Sequence, residues 1–447
     1  MPKAKSVFIC KECGHNQPQW TGRCSGCGEW NSLAEESVSK TAETASSSFF
    51  KGKGQLTPLA AIKTDNFRRY SSGFSEADQV LGGGIVQGGA TLIGGEPGIG
   101  KSTLMLQVAN HFANGKFGKV LYVSGEESPA QIKMRADRLK VSGHIEIYSA
   151  TDLEAVLKAI TNIKPALVIV DSAQTLYSNE AGLIPGTTSQ IRRCCHELIG
   201  ICKDYNTACF IVAHVTKEGA IAGPKAIEHL VDTVTYFEQG DNDLRLLRAV
   251  KNRFGAVDEL GLFTMHEDGL HEANLKDAAI SFKHELPAGS AIAASFEGSR
   301  VFLHEIQALT VTGKGGNARV YSERIDNARV QRIAAVLERH AGIRFSDQDI
   351  YVNVSGGIKL TETGVDLPLA LALYSARLGL TLPVGLASAG ELALSGNVRE
   401  ASHKTRRAKT AGDLGFTFLS PGRKDKTAGF VNEQHISAIL KQVAQNS

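Results

Sequence analysis

The sequence predicts an α/β protein: a largely parallel sheet flanked by helices, with a small cysteine-bound module before it and a separate α+β domain after it. Three observations carry this. The string Gly94-Gly-Glu-Pro-Gly-Ile-Gly-Lys101-Ser102-Thr103 sets a glycine-rich loop between an apolar run, Ala90–Ile93, and a helical pattern, Leu104, Leu106, Val108, Ala109 and Phe112. Apolar strand patterns then recur between helical segments, at Lys119–Ser124, Ala166–Asp171 and Ala208–His214, as parallel sheets require. Four of the eight cysteines fall between Cys10 and Cys27.

The chain has 447 residues, enough for two or three domains, and 42% of them are hydrophobic. The charge balance of 49 − 46 = +3 favours no partner by itself, so an anionic ligand would need a local patch. Met1–Phe8 lacks the long apolar run of a secretory signal. The longest apolar stretch, Leu367–Leu382, is interrupted by Tyr374, Ser375 and Arg377 and is too polar to span a bilayer. The expected setting is the cytoplasm without a membrane, where cysteines serve as thiols or metal ligands.

Taken in order, residues 1–33 read as a four-cysteine ribbon. Cys10-Lys-Glu-Cys13 and Cys24-Ser-Gly-Cys27 are two C-x-x-C pairs, spaced to close two knuckles around one tetrahedral Zn²⁺. A redox dithiol is the competing use. So short a segment buries no core without such a staple. Trp20 and Trp30 either stack on a base or pack the knuckle. Residues 34–57 turn to Ser, Thr, Glu, Lys and Gly and read as a flexible linker, with Phe49-Phe50 within it.

Residues 58–274 read as the ATPase. The loop fits G-x-x-x-x-G-K-[ST]. Backbone N–H groups across Gly95, Glu96, Pro97, Gly98, Ile99, Gly100, Lys101, Ser102 and Thr103 would cradle the phosphates of ATP. Lys101 would neutralise the β/γ charge and Ser102 hold Mg²⁺, at the positive end of the following helix. The run Ala-Leu-Val-Ile-Val-Asp171 is a Walker B pattern, putting Asp171 beside the Mg²⁺. Glu126, ending the second strand, is the candidate to orient the attacking water, with Glu127 as its competitor. His214, ending the fourth strand, is a candidate γ-phosphate sensor, against a plain core histidine. Tyr177–Ser189 and Lys217–Ile227 are long glycine-bearing loops suited to meet nucleic acid. Cys194, Cys195, Cys202 and Cys209 lack metal spacing and read as core thiols.

The P-loop, Glu126, Asp171 and the His214 strand resemble the RecA/DnaB class of ATPases. The order of ribbon, RecA-like core and the pentapeptide Lys251-Asn252-Arg253-Phe254-Gly255 is similar to the RadA (Sms) family of bacterial DNA repair proteins over essentially the whole chain. The resemblance implies that Lys251 and Arg253 support ATP turnover and its coupling to DNA. They follow a strand, Leu244–Val250, and could reach the ATP of the next protomer; whether they act in cis or in trans stays open.

Residues 275–447 form the separate α+β domain, with strand alternation at Ile350–Val354 and helical stretches at Asn327–Arg339 and Asp366–Leu378. Thr363–Ala370 and the segment from Gly396 to Phe416 resemble the proteolytic domain of Lon. That domain needs a serine and a lysine, whereas the matching positions here hold Asp366 and Thr405, with Lys404 one residue away. A carboxylate cannot replace an activated hydroxyl, so the domain is expected to be a proteolytically inactive scaffold. His403, Lys404, Arg406, Arg407 and Lys409, followed by Arg423, Lys424 and Lys426, cluster as phosphate contacts would, and Arg300 and Lys314 add to them.

The expected function is a DNA-dependent ATPase and helicase that branch-migrates recombination intermediates. The resemblance implies a homo-hexameric ring on single-stranded and branched DNA, with a recombinase and other repair proteins as partners. An ATP-dependent protease and an ATP-ordered scaffold for repair proteins are the alternatives.

Overall fold

The computed structural model describes residues 6–10, 16–17, 19–25, 28–37, 58–59, 68–178, 187–214, 226–240, 244–257, 259–273, 285–313, 319–355, 359–421 and 434–445. Contacts divide the chain into residues 1–238 with 245–272, and 239–244 with 273–447.

Strands β1 (Ser6–Cys10), β2 (Asn16–Gln17) and β3 (Leu33–Ser37) form the ribbon, with β1 antiparallel between the other two. Its small core is Cys10, Cys24 and Leu33, with Phe8 against it. Trp20 and Trp30 are 55% and 67% exposed, and the Trp30 ring packs beside Gly22 with the Arg23 guanidinium over it at 6.0 Å, as the knuckle-packing reading has it for that residue. Gly28, at φ +79°, donates its N–H to Cys24 O and turns the chain back beneath Arg23.

A short pair, β4 (Arg69–Tyr70) with β5 (Ile85–Val86), brackets helix α1 (Ser75–Val80). The phosphate-loop strand β6 (Ala90–Gly95) leads into α2 (Lys101–Asn114). Then β7 (Val120–Ser124), α3 (Pro129–Arg138), β8 (Ile145–Ser149), α4 (Leu153–Ile163), β9 (Leu167–Asp171), α5 (Thr188–Asp204) and β10 (Ala208–His214) alternate as the sequence predicts. Strands β11 (Thr233–Gln239), β12 (Leu244–Asn252), β13 (Leu260–His266) and β14 (Gly269–Glu272) follow. The sheet order is β14-β13-β12-β11-β6-β10-β9-β7-β8.

Both faces of this sheet are covered, which is why its central strands are apolar throughout rather than alternating. On one side Ile93, Tyr122, Ile169 and Phe210 pack against Leu104, Val108 and Phe112 of α2. On the other, Leu92, Val123, Val170 and Ile211 pack against α4 and α5. Cys194, Cys195, Cys202 and Cys209 belong to that second layer. Burial pushes the Cys194 thiol up to about 12 and raises Cys195 as well, so these are inert packing groups.

The C-terminal unit is a mixed sheet, ordered β17-β18-β16-β15-β19-β22. Its strands are β15 (Ser290–Glu297), β16 (Arg300–Thr312), β17 (Val320–Ser322), β18 (Gln348–Val354), β19 (Leu386–Ser388) and β22 (Thr417–Leu419). A two-stranded piece, β20 (Glu391–Leu392) with β21 (Val398–Arg399), stands beside it. Helices α6 (Asn327–Ala341), α7 (Asp366–Leu378), α8 (Lys404–Asp413) and α9 (Ile436–Gln445) complete the unit. Helix α7 is buried along almost its whole length.

The basic residues of α8 do not form one phosphate-facing cluster, because Arg407 among them is internal. Arg407 is fully buried, pairing with Glu362 through both terminal nitrogens and donating Nε to Ser402 O at 2.7 Å. It holds the fold together and is closed to a phosphate backbone. His403 stacks on Phe296 at 4.0 Å between ring centroids, and Lys404 pairs with Glu400 at 2.9 Å. Arg406 and Lys409 stay exposed. Lys314, Arg423, Lys424 and Lys426 lie outside the described residues, as do Cys13, Cys27, Phe49, Phe50, Lys217 and Lys225.

Candidate active site

Parallel register sets the ends of four strands level. Gly95 lies opposite His214, Asp171 opposite Val212, and Ser124 opposite Asp171. The carboxyl ends of β6, β10, β9 and β7 therefore present Gly95, His214, Asp171 and the start of Gly125-Glu126 along one edge. This is where open α/β sheets bind ligands.

The loop between β6 and α2 turns through Gly98 at φ +79° and Gly100 at φ +116°, conformations a side chain resists. A Cβ on Gly95 would lie 2.5 Å from Phe237 O, so β11 packs directly on the loop's base. Helix α2 has no side-chain cap and no acidic residue in its first turn. Its leading N–H groups are thus left for an anion, and the helix dipole favours one there.

Lys101 is 3% exposed; its Nζ donates to Gly95 O and Glu96 O, each at 2.8 Å, and lies 3.2 Å from His214 Nδ1. Burial pulls its ammonium down to about 8, while Asp171 and Glu126 pull the other way. Asp171 is buried, and one of its oxygens accepts the Tyr122 hydroxyl at 2.7 Å. Burial first, then the Asp171 charge, raises the Tyr122 phenol well above its ordinary value, so it remains a donor. Glu126 Oε1 accepts from Ser172 Oγ and lies 3.2 Å from His214 Nε2. Gln174 Nε2 donates to His214 O at 3.3 Å. Lys101, His214, Glu126 and Ser172 thus form one unbroken polar chain beside Asp171.

The two adjacent carboxylates separate cleanly. Glu127 is tied to Arg135 of α3 and its N–H to Ser124 Oγ. Glu126 faces the phosphate loop instead. Tyr122, Ser172 and Gln174 were not anticipated from the sequence. Ser172 was open to view, since it directly follows the Walker B aspartate. Tyr122 carries no local signal, because only strand pairing brings it to Asp171.

Lys251 and Arg253 stand elsewhere. Lys251 Nζ donates to Glu228 O at 2.8 Å and Val231 O at 2.9 Å, and Arg253 Nη1 pairs with Asp232 Oδ1 at 3.1 Å. Asp232 in turn exchanges hydrogen bonds with Ala90, accepting from its N–H at 3.1 Å and donating to its carbonyl at 2.9 Å. Ala90 begins β6, whereas the phosphate loop leaves the far end of that strand. Both cations are therefore anchored at the Ala90 end of β6, opposite the end from which the loop leaves.

These residues fit ATP with Mg²⁺: an uncapped helix start, a buried lysine and a strand-end carboxylate with one oxygen beyond Tyr122's reach. In the ribbon, Cys10 and Cys24 are both buried, and Cys10 Sγ lies 3.2 Å from Ser32 Oγ. Two thiols enclosed in so small a core suit a tetrahedral sulfur site.

In the C-terminal unit Asp366 is 1% exposed. It faces Arg329 Nε at 3.5 Å and Arg332 Nη2 at 3.6 Å, and Leu392 N donates to it at 3.3 Å. The position where a nucleophile would stand is therefore an anion between two guanidinium groups. Lys404 is engaged with Glu400 and Pro421 O.

Comparison with known proteins agrees with this layout. Residues 56–220 match the AAA domain family, residues 8–35 a rubredoxin metal binding domain, and residues 320–421 subunit ChlI of Mg-chelatase. The chain is 51% identical over 423 residues to DNA repair protein RadA of Treponema pallidum, covering 93% of this chain and 92% of that protein. It is 43% identical to DNA repair protein RadA of Bacillus subtilis over 93% of this chain and 92% of that protein. Identity to DNA repair protein RadA of Pseudomonas aeruginosa is 42%, with the same coverage. The fold is thus an α/β ATPase with an N-terminal zinc ribbon and a C-terminal ChlI-like domain.

Proposed function

This chain belongs to the RadA family of DNA repair proteins, and on that premise we propose that it is a DNA-dependent ATPase and helicase that branch-migrates recombination intermediates in the cytoplasm. The observation that carries the reading is the polar chain from Lys101 through His214 to Glu126, set beside Asp171 at one sheet edge.

Bound Mg²⁺ supplies charge neutralisation at the β- and γ-phosphates, and Asp171 and Ser102 are the residues to hold it. Lys101 exchanges its contacts with Gly95 O and Glu96 O for phosphate oxygens. Glu126 orients the attacking water and takes up its proton on the carboxylate. His214, between Lys101 and Glu126, registers whether the γ-phosphate is present, and β10 transmits that state to the residues that follow it.

Lys251 and Arg253, at the far edge of the sheet, then serve the ATP of an adjoining protomer, which asks for a homo-hexameric ring. Single-stranded and branched DNA pass through that ring, and a recombinase and other repair proteins act alongside. Cys10, Cys13, Cys24 and Cys27 hold Zn²⁺ in a structural role. Asp366, buried between two arginines, weighs against peptide cleavage.

The deciding experiment is ATP-driven displacement of an annealed strand from forked DNA, comparing native protein with Lys101→Ala and removing each single-stranded tail in turn. Native protein should unwind at least one fork and Lys101→Ala none. ATP consumption with no displacement from any substrate refutes the helicase reading.

A further inference from the structure

Strand β7 reads Val-Leu-Tyr-Val-Ser, and its Tyr122 is 1% exposed, packed with Ile169 and Phe210 in the layer against α2. A phenylalanine ring would fill that space. Tyrosine adds a single oxygen, and a buried hydroxyl needs a partner. Tyr122 pairs across the sheet with Ile169, and Asp171 stands two residues further along β9 on the same face. The hydroxyl reaches it there, donating to Asp171 Oδ2 at 2.7 Å. A second hydroxyl bond runs the other way. Ser172, just after β9, donates from Oγ to Glu126 Oε1, just after β7. The backbone closes the same corner, with Gly125 N donating to Asp171 O at 3.0 Å. Each strand thus offers one hydroxyl to the carboxylate of the other.

The two bonds serve different groups. The terminal torsion of a carboxylate is broad, so an unanchored Asp171 would swing between orientations. The phenol fixes the carboxyl plane by holding Oδ2 and leaves the other oxygen to the site. Because burial and the Asp171 charge keep the phenol protonated, the bond persists through the working range of pH. Glu126 takes its anchor from Ser172 instead.

We infer, resting on the assignment of Asp171 to Mg²⁺ above, that Tyr122 is a positioning residue. Its hydroxyl holds the Asp171 carboxylate ready for the metal ion that accompanies the nucleotide. Groups that orient a metal-binding side chain from behind typically set metal affinity by about 10–100-fold.

The test titrates Mg²⁺ into full-length protein with a fluorescent ATP analogue, repeats the binding in EDTA, and follows thermal melting and kcat. It compares native protein with Tyr122→Phe, Ser172→Ala, Asp171→Asn and Asp171→Asn/Tyr122→Phe. Tyr122→Phe should raise the half-saturating Mg²⁺ concentration about tenfold, with affinity in EDTA unchanged and most of kcat regained at saturating Mg²⁺. Ser172→Ala should show the opposite split, a lowered kcat at the native Mg²⁺ requirement. In the Asp171→Asn background, Tyr122→Phe should add no further rise, because the carboxylate it orients is gone. A native Mg²⁺ requirement in Tyr122→Phe, even with a lower melting temperature, assigns the hydroxyl to stability alone and overturns the inference. An equal rise in Ser172→Ala overturns it as well. In both cases the metal assignment stands if Asp171→Asn raises the requirement. An Asp171→Asn protein with the native requirement refutes the metal assignment and the inference together.

Discussion

At the scale of single residues, Lys101 and the Glu126–Glu127 pair make sharp expectations. In free protein burial holds Lys101 near 8, and bound phosphate will raise it. Nucleotide binding above that pH therefore takes up a proton. ATP affinity should be level below about pH 7 and should fall up to tenfold per unit as pH climbs past about 8. Titration with a fluorescent ATP analogue between pH 6 and pH 9.5 checks the direction (both bounds about one unit beyond the expected bend). Glu126→Gln should lower kcat by about 10²–10⁴-fold while nucleotide binding persists. Glu127→Gln should leave kcat within a few-fold and instead loosen α3, because its partner is Arg135. Equal losses of kcat in the two variants would contradict the assignment. The sequence named both carboxylates and could not rank them. The rank depends on Arg135, eight residues away on a helix whose facing only the folded chain defines.

At the scale of elements, the alternation of strands and helices was plain from local patterns, down to the start of α7 at Asp366. What lay hidden was long-range pairing. The strands β12–β14 extend the sheet beyond β11, and no local pattern says which edge they join. Helix α8 shows the same limit. Its run of basic residues is legible, but burial of Arg407 against Glu362 comes from β15 and from the turn before α7. Breaking that pair strands a buried charge. Arg407→Ala should cost the C-terminal unit about 3–5 kcal/mol, against under about 1 kcal/mol for the exposed Arg406→Ala. Hydrogen exchange of β15 and β16 in the full-length protein measures both. Equal protection in the two variants would disprove the structural role of Arg407.

At the scale of the whole molecule, the opposed placement of the phosphate loop and the pentapeptide sets the terms for assembly. Neither Lys101→Ala nor Arg253→Ala protein should hydrolyse ATP at more than a small fraction of the native rate. Mixed before assembly, the two should regain activity, since some junctions then join an intact loop to an intact arginine. No recovery at any mixing ratio would argue against shared sites. The P-loop was legible because all its parts are contiguous. The separation of Lys251 and Arg253 from that loop was not, because it rests on which end of β6 each group occupies. The ribbon offers a different consequence. The chain has two tryptophans, and both stand in water on that one small module. Light absorbed by indole alone consequently reports on the surroundings of Trp20 and Trp30 in the ribbon. Quenching by acrylamide, or a blue shift on adding a candidate partner, would reveal what the ribbon touches without any attached dye.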